Sequence, residues 1–227
     1  MEDAGRLRSG APVRHRAVRR CSGGRAMRAM AVEFPEVEGH PNRLPFEGCL
    51  TLVDVPSDKA PSGARGHRVV LTREAAEAAL PSLLGMAVDY KAGWDGHDAR
   101  QKCGIITAAH LEPKEQGQRL LVRGFVFARD YPEFNGPGGI GPKVGAFAAE
   151  ADGAMGMSYE LADAHVADMR APVWRLTRAT FTGAAILLRE KAAYRATTFR
   201  LKRRRSGVGN PNAERFDGNG AIGARLL

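Results

Sequence analysis

Short apolar runs separated by turn-forming stretches fill the sequence between residues 44 and 199, and this pattern limits the possible folds. The runs are rich in β-branched and apolar residues and are bounded by Gly, Pro, Ser or Asp, which is typical of strands. Strands are predicted at 44–55, 67–71, 103–109, 119–127, 156–161 and 173–187, the last with a bend at Gly183, and an apolar segment at 83–90 leads into another strand.

Two short helices complete this prediction. Thr72 is a good N-cap for a helix that ends at Leu80, before Pro81, and residues 144–151 carry apolar side chains at helical spacing. The chain is therefore predicted to be an α+β, β-rich protein, with a small closed or partly closed β-barrel and a few flanking helices.

The charge of the chain is concentrated at its two ends. The whole chain has a formal net charge of +9, to which residues 1–28 contribute +6 and residues 200–227 contribute +5, leaving −2 for the body. We predict a basic, disordered N-terminal arm at 1–43, a folded domain at 44–199 and a basic, disordered C-terminal tail at 200–227. The neutral body argues against a basic groove, so only weak contact of the tails with nucleic acid is expected.

Other sequence features narrow the class of protein. An apolar run of about 18 residues, which a transmembrane helix needs, does not occur, and no apolar run follows the N-terminal Arg residues as it does in a secretory signal. Cys21, Cys49 and Cys103 are odd in number and widely spaced, which suits a reducing compartment and does not match zinc spacing. Translation could also begin at Met27 or Met30.

The segment from Gly156 to Leu161 contains a candidate nucleophile. As a strand it places Ser158 and Glu160 on one face and Met157, Tyr159 and Leu161 on the other. Gly156 would allow other groups to approach this strand closely, which suits a reactive hydroxyl. The same pattern is also typical of an ordinary solvated Ser on a half-buried strand.

A candidate base lies in the polar loop between residues 91 and 102. His97 is flanked by Asp95 and Asp98, and a loop His with carboxylates nearby can act as a general base. An exposed His in a turn rich in Asp and Gly is the alternative interpretation.

The order of these motifs resembles a known family. A loop His precedes a Gly-led strand (103–106), a Gly-x-Ser strand follows about sixty residues later, and then comes a strand ending in Thr-Phe-Thr-Gly-Ala-Ala (180–185). Over roughly residues 44–198 this order resembles the tailed-phage prohead (capsid-maturation) serine proteases, which are related to the herpesvirus assemblins.

The resemblance implies a serine endopeptidase that processes scaffold and major capsid proteins during phage head assembly. Ser158 would be the nucleophile and His97 the base, without cofactor or metal. The enzyme would act in the host bacterial cytoplasm, inside the assembling prohead, away from membranes, and would self-associate.

The third catalytic position departs from the family pattern. Where the phage enzymes carry a Glu, this chain has Arg178, which cannot accept a hydrogen bond from imidazole. Either the family's third position aligns with a residue one or two places away, or another residue orients His97, or Ser158 and His97 act as a dyad, or the chain is an inactive homologue with a structural role in capsid assembly. The candidate orienting residues are Glu160, Asp98, His165, Asp163 and Asp168.

Overall fold

A computed structural model describes residues 29–35, 37, 40–134 and 155–202. Strands dominate this part of the chain, with one short α-helix, so the β-rich prediction is confirmed. The elements are β1 Ala29–Ala31, β2 Leu44–Val53, β3 Arg68–Leu71, α1 Arg73–Ala79, β4 Ala87–Tyr90, β5 Lys102–Pro113, β6 Gln118–Val126, β7 Met155–Val166, β8 Val173–Leu188 and β9 Thr198–Leu201.

The strands form one mixed sheet. Its hydrogen-bonded path runs β3-β8-β4-β5-β6-β2-β9, with β1 paired to β5 and β7 paired to β8. The path does not return on itself, so the predicted closed barrel is not found. Strands β7 and β9 nevertheless approach each other. The backbone N–H of Met157 in β7 donates to Oγ1 of Thr197, which directly precedes β9.

Strand β8 is the centre of the architecture. It pairs in parallel with both β3 and β4, and its antiparallel partner is β7. The strand predicted at 173–187 corresponds to β8, which runs from Val173 to Leu188. Next to Gly183 its pairing with β7 is irregular: Glu160 lies opposite Gly183, but the next residue, Leu161, lies opposite Phe181, so Thr182 of β8 is an extra, bulged residue. A bulge bends the strand that carries it, which agrees with the bend predicted at Gly183.

The helix α1 follows the prediction closely. Thr72 caps it by accepting a hydrogen bond from the N–H of Ala75, and a 3₁₀ turn with Pro81 at its start follows directly. The helix buries Ala75, Ala76 and Ala79 against the same core that holds Leu71 and Leu176. The predicted helix at 144–151 lies outside the described residues.

The folded part extends beyond both predicted boundaries. Ala29–Ala31, assigned to the disordered arm, forms β1 on β5, and Phe34 packs edge-on against Phe125. At the other end, β9 continues to Leu201 and pairs with β2. Both segments are short, so what holds them is pairing with a neighbouring strand, which local composition does not reveal. Residues 1–28 and 203–227 lie outside the described part.

Candidate active site

Three neighbouring strands bring the candidate residues to one face of the sheet. Ser158 in β7 and Asp89 in β4 both pair with Ala185 of β8, from opposite sides. Residues directly opposite each other in a ladder share a face, so Ser158, Ala185 and Asp89 form a single row across the sheet. The two outer strands of this row are about 10 Å apart, since adjacent strands lie roughly 4.8 Å apart.

This face is opposite the main hydrophobic core. In β7 the side chain of Met157 is buried in that core, whereas Ser158 is half-buried and Glu160 exposed. The predicted division of this segment into two faces is therefore confirmed. On the Ser158 face, Ala185 and Leu187 are buried together with Ala192 of the loop after β8.

Gly156 allows that loop to come close to Ser158. A Cβ atom at Gly156 would lie 2.7 Å from Oγ1 of Thr197 and 3.0 Å from Cγ of Arg189. Contacts shorter than about 3 Å are not tolerated between such atoms, so a side chain here would push the loop away. The glycine thus has the role that the sequence suggested, which is close approach beside the candidate nucleophile.

His97 lies between two carboxylates that come from different strands. Its Nδ1 atom is 3.5 Å from Oδ1 of Asp89 and 3.7 Å from Oε1 of Glu160. The imidazole therefore reaches across β8, where Gly183 and Ala185 leave space. Only 19% of the His97 side chain is exposed, so this is not the fully solvated turn residue of the alternative interpretation.

The loop that carries His97 is tied to the end of β8. The N–H of Leu188 donates to the carbonyl of Trp94 at 2.8 Å, and the Trp94 ring stacks on Tyr90 with centroids 4.6 Å apart. Gly93 and Trp94 both adopt positive φ, a conformation that costs Trp94 free energy and persists only where surrounding contacts enforce it. These contacts fix the start of the loop and so limit where His97 can lie.

Asp89 is a functional candidate that the sequence analysis missed. Its side chain is fully buried, and Oδ2 lies 3.1 Å from Nζ of Lys102. Burial raises the pKa of Asp89, but the imidazole of His97 and the ammonium of Lys102 outweigh burial and leave the pKa below its usual value. The carboxylate is therefore ionised at neutral pH.

Glu160 occupies space that Gly183 leaves free. A Cβ atom at Gly183 would lie 2.6 Å from Oε2 of Glu160. The Glu160 side chain is 50% exposed, so water screens its interaction with His97 far more than that of Asp89. Of the orienting residues predicted from the sequence, it is the one that contacts His97.

The remaining candidates lie elsewhere or have other partners. The carboxylate of Asp98 binds the guanidinium and N–H of Arg100, which lowers its pKa to about 2. His165 is exposed and pairs with Arg178, seven residues along β7 from Ser158. Asp163 occupies an irregular stretch of β7, and Asp168 caps the turn before β8. Arg178 is thus distant from His97.

Ser158 and His97 share a face of the sheet but are not hydrogen-bonded to each other. Both ring nitrogens of His97 are buried and lack a hydrogen-bond partner in the part of the chain that the structure describes. Because Nδ1 faces the carboxylates, Nε2 is the nitrogen left to accept a proton. No cluster of His, Cys, Asp and Glu in the described ranges has the geometry of a metal site.

Comparisons with models of protein families, with curated proteins and with solved structures found no match. Among the residues that the structure describes, no helix is long and apolar enough to cross a membrane.

Proposed function

We propose that this protein is a serine endopeptidase in which Ser158 is the nucleophile and His97 the general base. One observation carries the proposal: a mostly buried imidazole, flanked by two carboxylates, lies on the same sheet face as a half-buried serine. A carboxylate at one ring nitrogen raises the basicity of the other, which is the property that a serine hydroxyl needs in its partner.

The chemistry follows from this arrangement. Nε2 of His97 takes the hydroxyl proton of Ser158 as Oγ bonds to the carbonyl carbon of the substrate. The imidazolium then gives that proton to the leaving amine, and an acyl-serine remains. Water attacks the acyl carbon as His97 takes a proton from the water, the acyl–Oγ bond breaks to release the carboxylic acid product, and the imidazolium returns its proton to Oγ of Ser158. The negative carboxylates beside Nδ1 stabilise the imidazolium in both steps.

The substrate class is proposed from the motif order. A loop His, a Gly-x-Ser strand and a following apolar strand resemble the prohead proteases. His97 lies in the loop between β4 and β5, the Gly-x-Ser motif is in β7, and the apolar strand is β8, which pairs with both β4 and β7. We therefore assign scaffold and major capsid proteins as substrates, cleaved inside an assembling phage head in the bacterial cytoplasm. The open sheet would correspond to a partly closed barrel of that family.

An inactive structural homologue is the second candidate. Two observations favour it: Nε2 of His97 has no partner among the described residues, and the third position by motif order is Arg178. Such a protein would keep the fold and contribute to capsid assembly without cleaving peptide bonds.

Mass spectrometry of the expressed chain separates the two candidates. Wild-type protein, expressed alone and together with a capsid and scaffold protein pair, should yield trimmed forms of those proteins or of its own tails. Ser158→Ala should leave every chain intact, because the hydroxyl is the attacking group. Trimming that persists unchanged in Ser158→Ala would show that another protease is responsible, whereas intact chains with wild-type protein would favour the structural role.

A further inference from the structure

We infer that Asp89, and not Glu160, is the positioning residue for His97, with Lys102 holding the Asp89 carboxylate in place. The inference rests on the proposed endopeptidase function and assigns its missing third member. The third catalytic residue would then lie on β4, the strand before the His97 loop. The family's motif order would place it on β8, the strand after the one that carries Ser158.

The burial of Asp89 demands a donor at each oxygen. Oδ2 has the ammonium of Lys102, but Oδ1 is buried and has no hydrogen-bond partner within the described ranges. A buried charged oxygen that lacks a hydrogen-bond donor destabilises the folded state, because it has lost its hydration without replacement. Nδ1 of His97 lies 3.5 Å from Oδ1, so closing that gap satisfies both atoms. The carboxylate therefore draws the imidazole towards β4.

This contact selects the tautomer that catalysis requires. An imidazole that donates from Nδ1 to Asp89 is either neutral with a free lone pair on Nε2 or fully protonated. In the neutral form Nε2 accepts the Ser158 proton, and in the protonated form the Asp89 charge stabilises the imidazolium. If Nε2 carried the proton of the neutral ring, Ser158 would have no base.

Glu160 is less suited to this role. It lies slightly farther from Nδ1, at 3.7 Å, and half of its side chain is exposed. Strand β7 pairs only with β8 among the described strands, whereas β4 is held between β5 and β8. A longer, half-exposed side chain on an edge strand loses more rotamer freedom when fixed, and its charge is screened by water.

The charged groups that face His97 from each packed element are few. Within the described ranges, Asp89 comes from β4, Lys102 from β5 through Asp89, and Glu160 from β7, while β8 presents the uncharged Gly183 and Ala185 in the rows between them. Asp95 and Asp98, on the His97 loop itself, pair with Lys91 and Arg100. Of the two carboxylates beside Nδ1 of His97, Asp89 is therefore both the closer and the fully buried one.

The test compares three acid-to-amide variants on a peptide that spans a mapped cleavage site. Asp89→Asn should lower kcat by about 10³–10⁴-fold with little change in KM. Without the carboxylate, the neutral His97 ring favours the tautomer that carries its proton on Nε2 and cannot accept the Ser158 proton there. Glu160→Gln should lower kcat less than tenfold, and Asp98→Asn, the matched control in the same loop, less than twofold.

A second measurement needs no change at Asp89. Nitrogen-15 NMR of histidine-labelled wild-type protein at pH 8 should show His97 with its proton on Nδ1, and Glu160→Gln should leave that tautomer unchanged. Two results would overturn the inference: an Nε2–H tautomer of His97, or full activity in Asp89→Asn together with a severe loss in Glu160→Gln. Either result leaves the proposed function intact as long as Ser158→Ala is inactive. If Ser158→Ala cleaves as well as wild type, the proposed function is wrong as well.

Discussion

His97→Ala should lower kcat/KM for peptide-bond cleavage by about 10⁴–10⁶-fold, with KM nearly unchanged. The imidazole is the proposed general base for Ser158, and its Nδ1 atom lies 3.5 Å from Asp89 and 3.7 Å from Glu160. Without the imidazole, the Ser158 hydroxyl keeps its proton at neutral pH and attacks the peptide carbonyl only very slowly. Kinetics on a mapped peptide substrate, with far-UV circular dichroism to verify folding, measure the effect.

The double variant sharpens this prediction. Because nucleophile and base act as a unit, Ser158→Ala combined with His97→Ala should be no less active than either single variant. His165→Ala is the matched control, since His165 is exposed and lies opposite Arg178, seven residues along the same strand; its activity should stay within twofold. Losses that simply multiply in the double variant would mean that the two residues act independently.

Lys102→Met should destabilise the fold by about 1–3 kcal/mol at pH 7, one of the larger effects expected outside the hydrophobic core. The substitution leaves the fully buried Asp89 carboxylate without its ammonium partner. Loss of one partner from a buried pair commonly costs about 3–5 kcal/mol, and we expect less here because Lys102 is 39% exposed. Urea unfolding measures the difference.

The loss of stability caused by Lys102→Met should become smaller as the pH falls. The pKa of Asp89 is lowered in the folded state, so its contribution to stability is present above the unfolded value of about 3.9 and is lost as pH falls. The gap between Lys102→Met and wild type should therefore narrow from pH 7 to pH 3.5. Lys202→Met, which removes an exposed pair with Glu47, should cost less than about 0.5 kcal/mol at both pH values. An equal cost for both lysines would contradict the role of Asp89.

Strand positions were well predicted because burial on one or both faces leaves a local pattern. The segments at 44–55, 119–127 and 156–161 all fall on strands of the structure, and Thr72 caps the helix as expected. Strand pairing is not local, and this accounts for the errors. β1 and β9 are held by partners far away in sequence, and the room that Gly183 leaves for Glu160 arises only when β7 pairs with β8.

Some residues of the candidate site could be predicted from the sequence and others could not. Ser158 and His97 were identified by their local surroundings, and Glu160 by its position on the same strand face. Asp89 lies within the apolar run Val88-Asp89-Tyr90, where it looked like part of a buried segment. A single carboxylate in such a run is itself a signal, since buried charges are retained only with partners. Those partners, Lys102 and His97, meet it only when β4 pairs between β5 and β8.

The most direct test of the central claim is covalent labelling of the wild-type chain with a fluorophosphonate, followed by peptide mapping. This reagent reacts with serine hydroxyls that a neighbouring base activates. We expect one adduct, on Ser158, that forms at least a hundred times more slowly in His97→Ala. An unlabelled Ser158, or labelling at the same rate without His97, would contradict the assignment of these two residues as nucleophile and base.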